Sequence, residues 1–406
     1  YAFLRRIKAA FDPDNLLNPG KLVTAADTPL TVTKLDVVPF RGLRDEVISH
    51  SAYAQAVACN GNGACFHWDA ANEMCPSYKA TRDRVQSPKG RAALIRDWQH
   101  AIETDADTQE AAASLAASLD TCVSCKACTS QCPVQVDIPT MKAAFLHDYH
   151  QTHSRSLRDR LLRHMETISM LGARTPLVTN RALAMGRTLM SSVFGLVDLP
   201  EFDTPGLPSR LRSAGARQLH PTDPLPENVD ADNSVILLCD SFLGPFEPQV
   251  LESTTRVLTR MGFTVFHTPI LANGKAQQVR GYLKEFEAVR DRATSEIHAL
   301  SSHGLPLITV EPALTMLYRQ DYTGRLDTTS LVSLDQFLTT HSQRIPKAAV
   351  AAPFRLIGHC TETSADPENL ARRQAIFETA NLSLTPERAG CCGMAGLFGH
   401  EAEHRA

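Results

Sequence analysis

The chain has 406 residues, 43% of them hydrophobic and 21% charged, with a formal net charge of -3 at pH 7. The length predicts two or three domains, and the near-neutral charge excludes a protein that mainly grips nucleic acid phosphates. No run of about 18 apolar residues and no leader pattern is visible, so the sequence predicts a cytoplasmic chain without a transmembrane segment. Its eleven cysteines are odd in number and gathered in tight groups, which indicates metal or redox chemistry, not a disulfide framework.

The two ends predict a piece of a longer polypeptide, because the chain begins at Tyr1 without an initiator methionine and stops soon after a Cys-Cys-Gly motif. Residues 1–22 carry apolar side chains at helical spacing before the turn Asn18-Pro19-Gly20, which predicts the last helix of a preceding domain. Residues 23–45, with Thr, Pro and short apolar runs, are predicted to be a linker.

The middle of the chain holds most of the cysteines. Residues 46–150 place seven of the eleven in loops between helical stretches, which predicts a separate cysteine-rich module. Residues 151–200 are predicted to be a helical segment with amphipathic helices, the first with Leu157 and Ile168 on its apolar face. Residues 201–233, rich in Pro, Asp and Gly, are predicted to be a second linker.

Residues 234–406 alternate short apolar runs with helices, which predicts an α/β domain with a largely parallel sheet. The buried strands are predicted at Val235–Leu238, Thr264–Phe266, Leu307–Val310 and Arg355–Ile357, and the helices near residues 249–261, 276–300 and 367–380.

This domain is predicted to contain an internal duplication. Aligning Pro248 with Pro367 places Asn273-Gly274 on Cys392-Gly393 without a gap, and both halves share a strand-helix-strand-loop order. The domain is therefore predicted to consist of two half-repeats.

The most specific motif is Cys122-Val-Ser-Cys125-Lys-Ala-Cys128-Thr-Ser-Gln-Cys132-Pro133. In this spacing three cysteines wrap one [4Fe–4S] cluster, and the fourth, before the proline, ligates the other cluster of a two-cluster ferredoxin. A structural zinc site is the alternative, but it usually needs two separated Cys-x-x-Cys pairs or added histidines. The motif therefore predicts at least one [4Fe–4S] cluster.

Three upstream cysteines complete the predicted module. By the crossover rule Cys75 joins the first three cysteines of the motif, whereas Cys132 joins Cys59 and Cys65. Asn62 stands where a regular motif would have another cysteine, so the second site is one thiolate short. It would hold a three-iron cluster, a four-iron cluster with Asn62 or another non-Cys ligand, or no cluster, in which case Cys132 closes a single one.

The third group is Cys360 with the adjacent pair Cys391-Cys392 before Gly393. Neighbouring thiolates at a strand-to-helix loop can bridge or cap a metal centre, and the alternative is a set of buried cysteines acting as small apolar residues. The first half-repeat has Ala272-Asn273-Gly274 at the corresponding position, so only the second half keeps the thiols. Cys239 is predicted to be structural.

A basic run accompanies the module, namely Arg82, Arg84, Lys89, Arg91 and Arg96. It would either steer an anionic partner, lie on a solvated face, or supply counter-charge to an anionic cluster.

These motifs together resemble a known family. Residues 7–21 are similar to the end of the substrate domain of FAD-linked oxidases of the vanillyl-alcohol-oxidase type. The segments Cys59–Ala92, Cys122–Pro133 and Cys391–Gly396 are similar to bacterial proteins that fuse such a flavin domain to a ferredoxin-like module and a CCG-type cysteine-rich domain, the large D-2-hydroxyglutarate dehydrogenases. The predicted fold is α+β multidomain: a helical dicluster-ferredoxin-like module, then an α/β CCG-type domain of two half-repeats, incomplete at its C-terminus.

The resemblance implies the iron–sulfur part of an FAD-dependent D-2-hydroxy acid dehydrogenase that oxidises D-2-hydroxyglutarate to 2-oxoglutarate. Electrons would pass from FAD through iron–sulfur centres to a quinone or a soluble flavoprotein. Alternatives are a D-lactate dehydrogenase of the same fused type, a non-catalytic iron–sulfur subunit like that of anaerobic glycerol-3-phosphate dehydrogenase, and a zinc-stabilised scaffold. The flavin, catalytic and substrate residues would precede Tyr1, so none is assigned, and both homo-oligomerisation and a peripheral position at the inner face of the membrane stay open.

Overall fold

The computed structural model describes residues 2–17, 23, 52–69, 71–104, 106–327 and 331–404. The chain forms two compact units, Tyr1–Ile48 and Ser49–Ala406. In the first, helix α1 spans Ala2–Phe11, and the following turn is closed by the Asp12 carboxylate, which accepts hydrogen bonds from the N–H groups of Leu16 and Leu17. The rest of the predicted linker, beyond residue 23, lies outside the described residues.

The cysteine-rich module is helical, as predicted. Its core includes an aromatic cluster in which the Trp98 ring packs edge-on against Tyr53 and Phe145, with centroid separations of 5.3 and 5.0 Å. The helices of the module are α2 (Ala54–Ala58), α3 (Pro76–Thr81), α4 (Pro88–Glu103), α5 (Thr108–Asp120), α6 (Ala127–Ser130) and α7 (Ile138–Thr152).

Capping residues in the sequence mark the starts of the long helices α4 and α7. Ser87 and Asp137 accept hydrogen bonds from the N–H groups of Gly90 and Thr140, both at 3.1 Å, and a proline follows in the first turn of each helix. Gly90 also allows a close approach, because a Cβ atom there would lie 2.3 Å from the carbonyl oxygen of Arg84. The loop before α4 is thereby held against the helix.

The helical segment consists of three helices, α8 (Leu157–Leu162), α9 (Met165–Gly172) and α10 (Pro176–Phe194). The predicted apolar face of the first is wrong, because Leu157 is 58% exposed and Ile168 is also exposed. The helix breaks near residue 163, and the side chains that become buried are Leu162, Glu166 and Ser169. The carboxylate of Glu166 is therefore buried where the sequence predicts a face of apolar side chains.

The α/β domain contains a five-stranded parallel sheet with strand order β1-β3-β2-β4-β5. The central strand β2 is buried along its whole length, as expected for a strand covered on both faces. The strands are β1 (Arg217–Gln218), β2 (Ser234–Asp240), β3 (Thr264–Leu271), β4 (Leu307–Thr309) and β5 (Leu331–Ser333). The helices among them are α11 (Leu207–Ser213), α12 (Leu243–Phe246), α13 (Pro248–Arg260), α14 (Lys275–Val279), α15 (Leu283–Ser301), α16 (Pro312–Asp321) and α17 (Leu334–Thr340).

The predicted linker over residues 201–233 requires correction. It contains helix α11, which buries Leu207 and Leu211, and strand β1, which pairs with β3 at the edge of the sheet. These elements are too short, and too rich in flanking Pro and Gly, to give a periodic sequence signal. The α/β domain therefore begins before residue 234.

The second half-repeat forms a smaller parallel pair, β6 (Pro353–Ile357) with β7 (Ser383–Glu387), together with helices α18 (Cys360–Ala365) and α19 (Asn369–Thr379). Ser234 pairs with Thr264 in the first half and Pro353 pairs with Ser383 in the second, and the same number of residues separates each partner from its counterpart. This matched register supports the predicted duplication.

The loop after the second strand of each half also matches. Gly274 and Gly393 take left-handed conformations with φ values of 79° and 80°, a region in which glycine carries no Cβ penalty. None of the helices in the described residues combines the length and the apolar composition that a membrane-spanning segment needs.

Candidate metal centres

The structure brings Cys75 together with Cys122, Cys125 and Cys128 around one cavity, as the crossover rule predicts. Cys75 precedes α3, Cys122 follows the end of α5, and Cys128 lies in α6. Four thiols from separate turns thus face a common space. The other residues lining the cavity are Pro76, Ser77, Pro88, Arg91, Val123, Ser124, Lys126, Ile138 and Pro139.

The backbone around this first cavity is bent by left-handed residues. Cys75, Ser124 and Lys126 have φ values of 45°, 54° and 58°, a conformation that costs about 1–3 kcal/mol in a non-glycine residue and concentrates at functional sites. The bends turn backbone N–H groups toward sulfur. Those of Tyr78, Ser124, Ala127 and Ile138 face the thiols of Cys75, Cys122, Cys125 and Cys128, respectively.

Burial and nearby cations shift the pKa values of these thiols in opposite directions. Burial raises the pKa of Cys75 to about 11 and that of Cys125 to about 12. Burial also disfavours the thiolate of Cys122, but the charges of Arg91 and Lys142, together with hydrogen bonds from Ser124, outweigh it and lower the pKa of this thiol. An anion in this cavity is thus expensive to desolvate unless positive charge or a metal compensates it.

The two cations are fixed in place. Arg91 is only 2% exposed, and its guanidinium donates to the carbonyl oxygen of Ser118 at 3.1 Å and to Thr121 Oγ1 at 2.8 Å. Lys142 Nζ donates to the carbonyl oxygen of Cys122 at 2.6 Å. Of the three roles open to the basic run, Arg91 therefore takes that of buried counter-charge, whereas Arg82, Arg84 and Lys89 lie exposed.

A second cavity is lined by Cys59, Cys65 and Cys132, with Asn62 at the position where a cysteine is missing. Asn62 Nδ2 lies 3.9 Å from Cys132 Sγ, and its side-chain oxygen accepts a hydrogen bond from the N–H of Ala64 at 3.0 Å. The amide therefore shapes the loop and presents its donor to the sulfur. Gly61 and Gly63, both left-handed, and Met74, Pro88, Lys89, Cys128 and Val136 complete the lining.

The third group is only partly assembled. A hydrogen bond from Cys360 lowers the pKa of Cys391 and raises that of Cys360, and the N–H of Gly393 lies 3.4 Å from Cys391 Sγ. Cys392 is exposed. Helix α18, which begins at Cys360, packs against α6, and the charge of Cys391 helps to raise the pKa of Cys125. The third group thus lies beside the first cavity.

The corresponding position of the first half-repeat is filled by a side chain that sequence reasoning missed. Glu166 Oε1 accepts hydrogen bonds from Ser241 Oγ and from the N–H groups of Asn273 and Gly274, at 3.1–3.3 Å, and Oε2 accepts from Gly274 at 3.0 Å. In the internal alignment Asn273 corresponds to Cys392. The alignment could have singled out this loop, but nothing in it identifies a residue outside the repeat as the occupant.

Three carboxylates lie where strands β2 and β4 end: Asp240 and Glu166 are buried, and Glu311 is partly buried. Burial raises the pKa of Asp240 to about 7, with a further contribution from Glu311. Asp240 Oδ1 accepts the N–H groups of Phe242 and Leu243, both at 2.7 Å, but these bonds do not offset the loss of solvation.

We expect Asp240→Asn to stabilise the protein increasingly as the pH rises. A carboxyl whose folded pKa lies above its unfolded value contributes stability below the unfolded pKa and loses it as the pH rises through the folded one. Asn keeps the oxygen that accepts both N–H groups and removes the ionisation. The advantage of the variant in free energy of unfolding is expected to grow to about 4 kcal/mol between about pH 4 and pH 8. Urea unfolding at several pH values measures it, and a pH-independent difference would contradict the assignment.

The donor set fits iron–sulfur clusters. Cys75, Cys122, Cys125 and Cys128 line the first cavity, and Cys59, Cys65 and Cys132, together with Cys128, line the second. N–H donors and buried cations surround the first cavity as they do around sulfur-ligated anionic clusters. Among the residues that the structure describes, no three His, Cys, Asp or Glu side chains gather around the position of a single metal ion.

Comparison with known proteins agrees with this donor set. Residues 55–136 match the family model of the 4Fe-4S dicluster domain, and residues 1–22 match that of the C-terminal domain of FAD linked oxidases. Over its whole length the chain is 32% identical to the D-2-hydroxyglutarate dehydrogenase of Escherichia coli (strain K12) and 34% identical to that of Pseudomonas putida, covering 44% of each. It is 23% identical to the glycolate oxidase iron-sulfur subunit of Escherichia coli, over 82% of this chain and 80% of that subunit.

The chain thus spans less than half the length of the dehydrogenases that it matches. No solved structure matches it.

Proposed function

We propose, because this chain carries a 4Fe-4S dicluster domain and is similar along its whole length to D-2-hydroxyglutarate dehydrogenases, that it is the iron–sulfur electron-transfer part of an FAD-dependent D-2-hydroxy acid dehydrogenase. The observation that carries the proposal is the first cavity, where four thiols, four backbone N–H groups and two buried cations converge. The substrate would be D-2-hydroxyglutarate, oxidised to 2-oxoglutarate at a flavin bound by a domain to which residues 1–22 belong.

We assign the ligand sets from the cysteines that line each cavity. Cys75, Cys122, Cys125 and Cys128 would hold a [4Fe–4S] cluster, which accepts and releases one electron at a time. Cys59, Cys65 and Cys132 would hold the second cluster, with three protein thiolates, because the oxygen of Asn62 is engaged by the backbone. In the first site the protein buries Cys75, Cys122 and Cys128 and supplies N–H donors and positive charge that offset the thiolates.

The third group would complete the path. Cys360 and Cys391 lie beside Cys125, and their mutual hydrogen bond favours one thiolate, as metal ligation requires. We place a metal centre at Cys360, Cys391 and Cys392, from which electrons would leave toward a quinone or a soluble flavoprotein.

A second candidate function is a non-catalytic iron–sulfur subunit. The similarity to the glycolate oxidase iron-sulfur subunit favours it, since that match covers most of both chains. Residues 1–22 favour the fused enzyme, because they match the end of a flavin oxidase domain.

The proposal is tested on anaerobically purified full-length protein. About four irons for each [4Fe–4S] cluster, a reduced-cluster signal in electron paramagnetic resonance, and dye reduction fastest with D-2-hydroxyglutarate among D-2-hydroxy acids are expected. A colourless protein with zinc and no iron would overturn the electron-transfer role. Faster reduction by D-lactate would overturn only the substrate.

A further inference from the structure

A nearly buried ion pair links the first cavity to the α/β domain. Lys126 lines that cavity and stands between Cys125 and Cys128 in the chain. Its Nζ atom donates a hydrogen bond to Asp321 Oδ1, and the two side chains are only 11% and 7% exposed. Asp321 is the last residue of α16. A carboxylate far outside the cysteine motif therefore reaches the loop that carries two of its thiols.

Two further charges complete what we call the ion group: Lys126, Asp137, Lys275 and Asp321. Asp137 Oδ2 lies 3.6 Å from Lys126 Nζ. On the other side, Lys275 Nζ lies 4.0 Å from Asp321 Oδ2, an oxygen that accepts no hydrogen bond from the described residues. Two ammonium groups and two carboxylates leave the ion group without net charge. Since water reaches little of it, the loss of one member would leave a poorly screened charge beside the cavity.

Lys126 also shapes the backbone of the loop. Its φ of 58° is left-handed, a conformation that a residue with a Cβ atom keeps only where its surroundings hold it. The N–H of the next residue, Ala127, faces the thiol of Cys125. The hydrogen bond to Asp321 thus holds the side chain of a bent residue whose neighbour donates to a thiol of the cavity.

We propose that Asp321 is a positioning residue for the cluster of the first cavity, an inference that rests on the proposed function. Asp321 fixes the ammonium group of Lys126 beside the cavity and cancels its charge. The reduction potential of an iron–sulfur cluster follows the net charge and the N–H donors around it, because reduction adds one negative charge. The α/β domain thereby sets the potential of a cluster whose four ligands all belong to the cysteine-rich module.

The test is the reduction potential of this cluster in anaerobically purified full-length protein, from a redox titration followed by electron paramagnetic resonance. The signal that Cys75→Ser removes identifies the cluster. Asp321→Asn leaves the ion group with one positive charge and is expected to favour the reduced cluster about tenfold, a rise of about 59 mV for one electron. Lys126→Gln leaves one negative charge and is expected to lower the potential by about the same amount.

Two variants serve as controls. Asp321→Glu keeps the charge and is expected to hold the reduction equilibrium within about threefold of the wild type. Asp291→Asn removes a carboxylate of the same domain whose side chain is 60% exposed, and it is expected to change the equilibrium less than about twofold because water screens that charge. Unshifted potentials in both Asp321→Asn and Lys126→Gln, or shifts in the same direction, would overturn the inference, since a loosened loop alone does not reverse sign with the charge.

Iron content separates this inference from the proposed function. A wild-type protein that binds no iron would overturn the proposed function, whereas a loaded wild type with unshifted variants would overturn only the role of Asp321. If one of the two charge variants loses the cluster, the direction of the shift in the other decides. Loss of the cluster from both, with Asp291→Asn loaded, would also overturn the inference, because the ion pair would then serve assembly and not the potential.

Discussion

Replacing Cys75 by serine is expected to remove the same cluster as replacing Cys122, although the two residues are far apart in sequence. Both line the first cavity, whereas Cys132, only a few residues after the motif's third cysteine, lines the second. Cys75→Ser and Cys122→Ser are each expected to lower the iron content by about four atoms per chain. Cys132→Ser is expected to lower it by about four atoms if the second site holds a four-iron cluster, and by about three if it holds a three-iron cluster.

The measurement that separates the two sites is the spectrum of the iron that remains. Cys75→Ser and Cys122→Ser are expected to leave one and the same reduced-cluster signal, and Cys132→Ser is expected to leave the other. An uncrossed arrangement, in which Cys132 closes the cluster of its own motif, predicts instead that Cys122→Ser and Cys132→Ser leave matching signals.

Cys239→Ser supplies the control for these variants. Cys239 is a buried thiol in strand β2, and its own N–H donates to Thr268 Oγ1 at 3.0 Å. Serine there would perturb packing without touching either cavity. Iron content and both signals are expected to stay as in the wild type, and loss of iron in this variant would show that folding, not ligation, sets the readout.

The grouping of the cysteines around the two cavities was predictable because the sequence signal for it is local. A cluster loop needs its thiols a few residues apart, so the Cys122–Pro133 motif carries its geometry in its spacing, and the crossover rule then adds Cys75. The long helices and central strands are predictable for the same reason, because Ser87 and Asp137 mark helix starts and β2 is one apolar run.

The remaining features depend on contacts between distant segments. Arg91 reads as one cation of an exposed run, and only the packing of α4 against α5 turns it into a buried counter-charge. Strand β1 has two residues and exists because β3 offers an edge. Helix α10 has the periodicity of a core helix, yet in the part of the chain that the structure describes none of its residues is buried.

Glu166 is not singled out by the sequence, yet its hydrogen bonds join the helical segment to the α/β domain. Met165 and Ile168 beside it predict an apolar face, yet the carboxylate points into the α/β domain and fastens α9 to the loop after β3. The second half-repeat has thiols at the corresponding loop. The duplication thus supplies two loops with a left-handed glycine, at Gly274 and Gly393. The first of them binds the carboxylate of Glu166.

Glu166→Ala is accordingly expected to lower the free energy of unfolding by about 3 kcal/mol and to loosen residues 157–194. The N–H groups of Asn273 and Gly274 and the hydroxyl of Ser241 would lose their acceptor inside the protein, and Asn273 is only 1% exposed. Glu166→Gln keeps one oxygen acceptor and is expected to lose less. Urea unfolding and hydrogen exchange of the α8–α10 segment measure both effects.

Glu287→Ala, which removes an exposed carboxylate paired with Arg290 at 3.8 Å, is the control. It is expected to change the free energy of unfolding by less than about 0.5 kcal/mol. Equal losses of stability in the two alanine variants would contradict the anchoring role of Glu166.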